Sequence, residues 1–163
     1  MKALVVYYSR TGTTRKLAGA ITEKIDADKI EIKTKKNLQG LSGAIKSGWD
    51  SFAERKPVIE EIDRDLGEYD IVLIGSPIWA GNVSAPVRTF LLKYRDQMKK
   101  IAFFATFGAS KAQKIFENME ILTGKRPETV LSIRKKKVED ENYEKEIVDY
   151  LETIENSFTG FKL

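Results

Sequence analysis

From Tyr8 to Thr14 the chain reads Tyr-Ser-Arg-Thr-Gly-Thr-Thr, five hydroxyl side chains around one glycine, directly after a short apolar run. A strand-to-helix turn needs one or two polar residues. This surplus suits the capture of an anion. A helix N-terminus offers four unpaired N–H groups and about half a positive charge. Glycine lets backbone amides converge on one point. Hydroxyls at alternating positions add donors for phosphate oxygens without adding charge. The G-K-[ST] element of the P-loop is missing, and Gly12 alone cannot make the dinucleotide fingerprint. The reading is a phosphate cradle built from hydroxyls, with Arg10 as its one basic residue.

Two further stretches have the composition of a ligand loop. Gly75-Ser76-Pro77-Ile78-Trp79-Ala80-Gly81-Asn82-Val83-Ser84-Ala85-Pro86 sets a large aromatic among small residues, past an apolar run. That suits a flat ligand. Alone, Trp79 would read as a core or rim residue; beside a phosphate cradle it reads as a stacking platform. Thr106-Phe107-Gly108-Ala109-Ser110 repeats the pattern: one aromatic, small residues, then a helix start.

The elements that must position these loops alternate regularly. Apolar runs at Ala3–Tyr8, Ile71–Gly75, Ile101–Thr106 and Thr129–Ile133 predict strands, and Lys29–Lys33 predicts another by its alternation of isoleucine with charge. Helical spacing predicts helices over Thr13–Ile25, through Val87, Phe90, Leu91 and Tyr94 with Pro86 in the first turn and Ser84 as the N-cap, over Ser110–Leu122 and over Asn142–Phe158. Strand–helix repetition five times predicts a doubly wound α/β fold: a five-stranded parallel sheet with helices on both faces. Right-handed crossovers bring the carboxyl ends of the strands to one edge, where ligands bind. No Pro/Gly/Ser-rich linker and no repeat interrupts the 163 residues, so one domain is expected. The odd part is 34–70, longer than a usual crossover. Within it Leu41, Ile45, Trp49 and Phe52 form one apolar stripe, predicting an amphipathic helix around 41–53 that packs on the sheet or folds over the ligand edge.

Composition narrows the chemistry. The chain has no cysteine and no histidine, hence no thiol nucleophile, no sulfur-ligated metal and no imidazole base. A bound cofactor must then carry any reaction. The net charge of +4 comes with basic runs at Lys33–Lys36 and Arg134–Lys137 that lack interleaved aromatics, so they read as solvated loops and strand ends with no specific nucleic-acid role. The first apolar run is too short for a signal peptide or membrane span, which predicts a cytoplasmic chain without a transmembrane segment.

Ser9-Arg10-Thr11-Gly12-Thr13-Thr14 resembles the flavodoxin phosphate loop, [ST]-x-T-G-x-T. "GSPIWAGNVSAPVRTFL" resembles the second FMN loop and its helix, and "ATFGASK" sits where the third flavin loop belongs. The resemblance implies a flavodoxin-like sheet of order 2-1-3-4-5 and non-covalent FMN. On that basis Ser9, Thr11, Thr13 and Thr14, with the amides of Arg10 and Gly12, would hold the 5′-phosphate. Trp79 would stack on the isoalloxazine within the loop formed by Pro77, Ile78, Trp79, Ala80 and Gly81. Gly81 or the Trp79–Ala80 peptide would face N5, and Thr106, Phe107 and Gly108 would line the pyrimidine or the opposite face. The third loop lacks the Asp and Tyr common in flavodoxins, and the chain is basic where flavodoxins are acidic, which argues against a partner that expects an acidic face.

The resemblance implies an electron-transfer protein that takes electrons from a reductase or ferredoxin and passes them to another protein or a small-molecule acceptor. The alternative is an NAD(P)H-dependent FMN oxidoreductase acting on a quinone or similar acceptor, including the menaquinone-linked protoporphyrinogen oxidase type. A signalling receiver is set aside, because the positions of its acidic cluster hold Ser9-Arg10 and Ser76-Pro77.

Overall fold

A computed structural model describes residues 1–35, 57–79, 81–108 and 113–160. Among them, strands β1 (Ala3–Tyr7), β2 (Asp28–Glu31), β3 (Ile71–Trp79), β5 (Lys100–Phe107) and β6 (Val130–Arg134) run parallel. A two-residue β4 (Asn82–Val83) folds back antiparallel on β3. The helices are α1 (Thr13–Ile25), α2 (Ala85–Tyr94), α3 (Gln113–Thr123), α4 (Lys135–Glu139) and α5 (Glu144–Thr159). Across the sheet the order is β2-β1-β3-β5-β6. This is the expected 2-1-3-4-5 path with one short hairpin strand added, so the sheet has six strands rather than five.

Period-two alternation assigns the two faces of the sheet. Leu4, Val6, Val72, Ile74 and Phe103 pack with α2 and α3 through Val87, Phe90, Ile115 and Met119. Val5, Ile71, Leu73 and Phe104 point the other way, against Leu17 and Ile21 of α1 and Ile147 and Ile154 of α5. Gly75 pairs with Phe104 across β3 and β5, and a Cβ at Gly75 would lie 2.2 Å from the Phe104 ring. The glycine is the space that the ring fills.

Two expectations need correction, and one element was not foreseen. The helix expected over Asn142–Phe158 is α5, and a separate short α4 precedes it, with Glu141 in left-handed geometry (φ 54°) between them. The strand foreseen over Ile71–Gly75 runs on to Trp79, because β5 keeps pairing as far as Pro77↔Thr106 and β4 then pairs Ile78 and Trp79. Ser84 sits at the N-cap of α2, with Pro86 in the first turn as expected, but its hydroxyl does not cap the helix. The foreseen helix around 41–53, with Trp49, lies outside the described residues. On either side of it, Thr34 and Ile59 form an antiparallel bridge, so the chain leaves and returns at adjacent points beside β2.

Candidate functional site

The sheet order reverses between β1 and β3: the chain goes from β1 outward to β2 on one side, and from β3 through β5 to β6 on the other. A crevice opens at such a switch point, beyond the carboxyl ends of the strands. The three loops of interest all start there.

The first loop joins β1 to α1. The Tyr8 N–H still bonds the Gly75 carbonyl at 3.1 Å, and the chain then turns away from the sheet. Ser9 is buried, and its Oγ accepts the Gly12 N–H at 3.1 Å. Gly12 takes φ 90°, a conformation that other residues adopt only with strain, and no side chain caps the helix that follows. The Lys16 N–H bonds back to Gly12 O at 2.9 Å, so the first-turn amides of Thr13, Thr14 and Arg15 have no intrahelical acceptor. The Thr11 and Thr13 hydroxyls lie 3.4 Å apart in front of this turn. A Cβ built on Gly12 meets nothing within 4 Å. The side of Gly12 is therefore open, and the turn that carries these amides and hydroxyls holds no carboxylate.

The sequence-predicted residues divide into two kinds. Arg10 and Thr11 are exposed, whereas Thr14 is buried with its Oγ1 2.8 Å from Thr106 Oγ1. That pair ties the cradle helix to the third loop. A hydroxyl bonded once keeps further donor or acceptor capacity, so the tie does not consume either group.

A second anchor was not anticipated. Arg15 grips Glu31 with two hydrogen bonds, Nε to Oε2 at 2.9 Å and Nη2 to Oε1 at 2.7 Å, and the Tyr7 hydroxyl donates to the same carboxylate at 3.3 Å. Tyr7 and Glu31 are register partners on β1 and β2. Burial first, and Glu31 second, push the Tyr7 phenol above its usual pKa. Only the strand register, invisible in sequence spacing, reveals this clamp.

Pro77, Ile78 and Trp79 lie on β3 itself, and Gly81, at φ 78°, completes the tight return to Asn82. Ala80 lies outside the described residues. Below the hairpin, the buried Ser84 N–H donates to Ser76 Oγ at 3.1 Å and the two hydroxyls lie 3.0 Å apart. Ser76 in turn donates to the Pro77 carbonyl at 2.9 Å. This lock replaces the cap expected of Ser84. The Trp79 ring meets the Tyr8 ring edge-on, centroids 5.7 Å apart, and the Arg10 guanidinium lies 5.8 Å from the Trp79 ring. Burial raises the Tyr8 phenol, and Arg10 opposes it more weakly. Phe107 is half-buried at the end of β5 with Arg134 of β6 at 5.9 Å, and Gly108 is exposed beyond it. The first loop thus touches the second through Arg10, Tyr8 and Trp79, and the third through Thr14 and Thr106.

The flavodoxin family model matches residues 2–154. The chain belongs to the flavodoxin family. Among solved structures, a flavoprotein from Lactobacillus acidophilus in complex with FMN is 24% identical, with a TM-score of 0.69 over 85% of this chain and 97% of that one. A flavodoxin from the domain Archaea is 20% identical, with a TM-score of 0.52 over 95% and 99% of the two chains. These likenesses are of fold. A curated NAD(P)H dehydrogenase (quinone) from Cupriavidus metallidurans is 28% identical over 90 residues, 55% of this chain. The match spans 45% of that longer relative. Among the described residues, no helix is long and apolar enough to cross a membrane, and no cluster of acidic side chains could hold a metal ion.

Proposed function

We propose that this chain, a flavodoxin-like FMN-binding flavoprotein, holds FMN non-covalently at the β1/β3 switch point and serves as a single-domain cytoplasmic electron carrier. The observation that carries this reading is the cradle. First-turn amides of α1, the exposed Thr11 and Thr13 hydroxyls and the open side of Gly12 fit a phosphate monoester, and an aromatic side chain lies one strand away. A Cβ at Gly81 or Gly108 would meet nothing within 4 Å, as at Gly12, so the glycines themselves do not crowd a flat cofactor. When bound, FMN supplies reversible one- and two-electron chemistry, and the protein supplies binding, orientation and electrostatics.

Each part has a distinct task in this reading. Ser9, Arg10, Thr11, Gly12, Thr13 and Thr14 hold the phosphate. Trp79 stacks on one face of the ring, with Tyr8 edge-on behind it to fix its plane. Pro77, Ile78, Ala80 and Gly81 bring backbone groups to the flavin edge, and Thr106, Phe107 and Gly108 close the other side. No acid or base residue is required of the chain, which suits its lack of histidine and cysteine. The electron donor is a reductase or ferredoxin, and the acceptor is another protein or a small molecule.

A steady-state assay separates this carrier from an NAD(P)H:quinone oxidoreductase. With FMN loaded, oxidation of NADH or NADPH in the presence of a soluble quinone should stay at the rate of free FMN. Turnover well above that background would replace the carrier reading with the enzyme reading.

A further inference from the structure

The face of β6 turned toward the α3 layer is open. Leu131 and Ile133 are buried on the opposite side, while Val130, Ser132 and Arg134 are exposed, Val130 at 44%. On α3, Ile121 is exposed at 76%, the most exposed large apolar side chain of the described residues. An edge strand with an apolar residue at this exposure is normally blunted or covered. The register leads this strip to the candidate site: Val130 pairs with Phe103, Ser132 with Ala105 and Arg134 with Phe107. Its far end is basic. Arg134 lies against the Phe107 ring, and Lys135 and Lys136 follow with side chains 53% and 84% exposed. Their ion pairs with Glu139 and Asp140 are exposed i,i+4 pairs, which contribute little and leave the lysines available. Lys137 is instead turned inward to Glu146. Lys114 adds a cation at the start of α3, and Glu117 is the acid on the same helix face as Ile121.

We propose that the open face of β6 and the basic turn Arg134–Lys136 dock an acidic electron-transfer protein beside Phe107. The proposal rests on the flavin reading above, because the third loop is where such a partner would come within electron-transfer reach of the cofactor. Complementary charge would steer the partner onto this edge, and Val130 with Ile121 would supply the apolar centre that a specific contact needs. The polarity is the reverse of an acidic docking face, so basic partners are repelled.

The test is an amide NMR titration of the FMN-loaded protein with an acidic [2Fe–2S] ferredoxin at low ionic strength. The expected shifts map to 114–121 and 130–136. The Lys135→Glu/Lys136→Glu double variant should weaken binding on the order of tenfold, and so should salt that shortens the Debye length to a few ångströms. Ile121→Ser should weaken binding without changing the charge. Shifts confined to another surface, unchanged affinity in the lysine double variant, or tighter binding of basic cytochrome c would each overturn the proposal. So would binding to phosphatidylserine vesicles with none to ferredoxin, which would put a membrane surface in the partner's place. Repeating the titration on apoprotein reads docking without the cofactor, while absorbance reads FMN loading separately. Docking without loading would strike only the flavin reading, and loading without docking would strike only this proposal.

Discussion

Thr14 and Thr106 stand 92 positions apart, yet their hydroxyls meet at 2.8 Å inside the protein. Sequence reasoning placed both at the cofactor by their type and their loops. It could not show that they also hold two loops together, since that depends on which face of β5 meets α1. Tyr150 of α5 is the converse case. It is buried on the α1/α5 face, and its hydroxyl finds no partner among the described residues. A buried unpaired hydroxyl costs about 1–3 kcal/mol, so Tyr150→Phe should raise the free energy of unfolding by about 1 kcal/mol in a urea titration at neutral pH. Burial also pushes the phenol well above its ordinary pKa of about 10. The folded protein then keeps a proton that the unfolded chain releases. Stability is thus intact below about pH 10 and falls as pH rises from there toward the folded value. The phenylalanine variant should lack this part of the alkaline loss. Equal alkaline loss in both proteins would clear Tyr150 of any role in it.

At the scale of elements, the apolar runs and helical stripes showed most strands and helices, because burial on two faces writes a strong period into the sequence. What they missed lies where tertiary pairing overrides local pattern. β3 outran its predicted end because β5 and β4 each offered it a partner, and nothing in Ser76-Pro77-Ile78-Trp79 announces a strand. The α4–α5 break turns on a left-handed Glu141, a geometry that glutamate seldom signals. Gly75 is another such position. It was expected as the last residue of a strand, and what the pattern did not show is that it makes room for Phe104. Gly75→Ala should cost about 1–3 kcal/mol of stability by overpacking, and pairing it with Phe104→Leu should recover part of the loss. A Gly75→Ala protein with unchanged thermal and urea midpoints would mean that the ring moves aside freely.

For the whole molecule, the strand order sets the starts of three loops, which the sequence holds apart by as much as the 92 positions from Thr14 to Thr106, at the carboxyl edge of one sheet. The loops were legible because each breaks pattern in the same way, with small and hydroxyl-bearing residues after an apolar run. The Arg15–Glu31–Tyr7 clamp and the Ser76–Ser84 lock were not, because each is an ordinary polar pair until the strand register brings it together. The surplus of cations over anions, 28 to 24, is small in total, and Arg134, Lys135 and Lys136 place one of the basic runs at the β6 end of the ligand edge. A phosphate-bearing flat cofactor at the switch point would unite these features. Fluorescence titration of the apoprotein with FMN and with riboflavin tests this most directly. The cradle supplies hydrogen bonds to a charged phosphate at roughly 1.5–3 kcal/mol each. FMN should therefore bind one to one and at least a hundredfold more tightly than riboflavin, and Thr11→Ala should narrow that gap. Equal affinity for the two flavins, or no binding of either, would contradict the account.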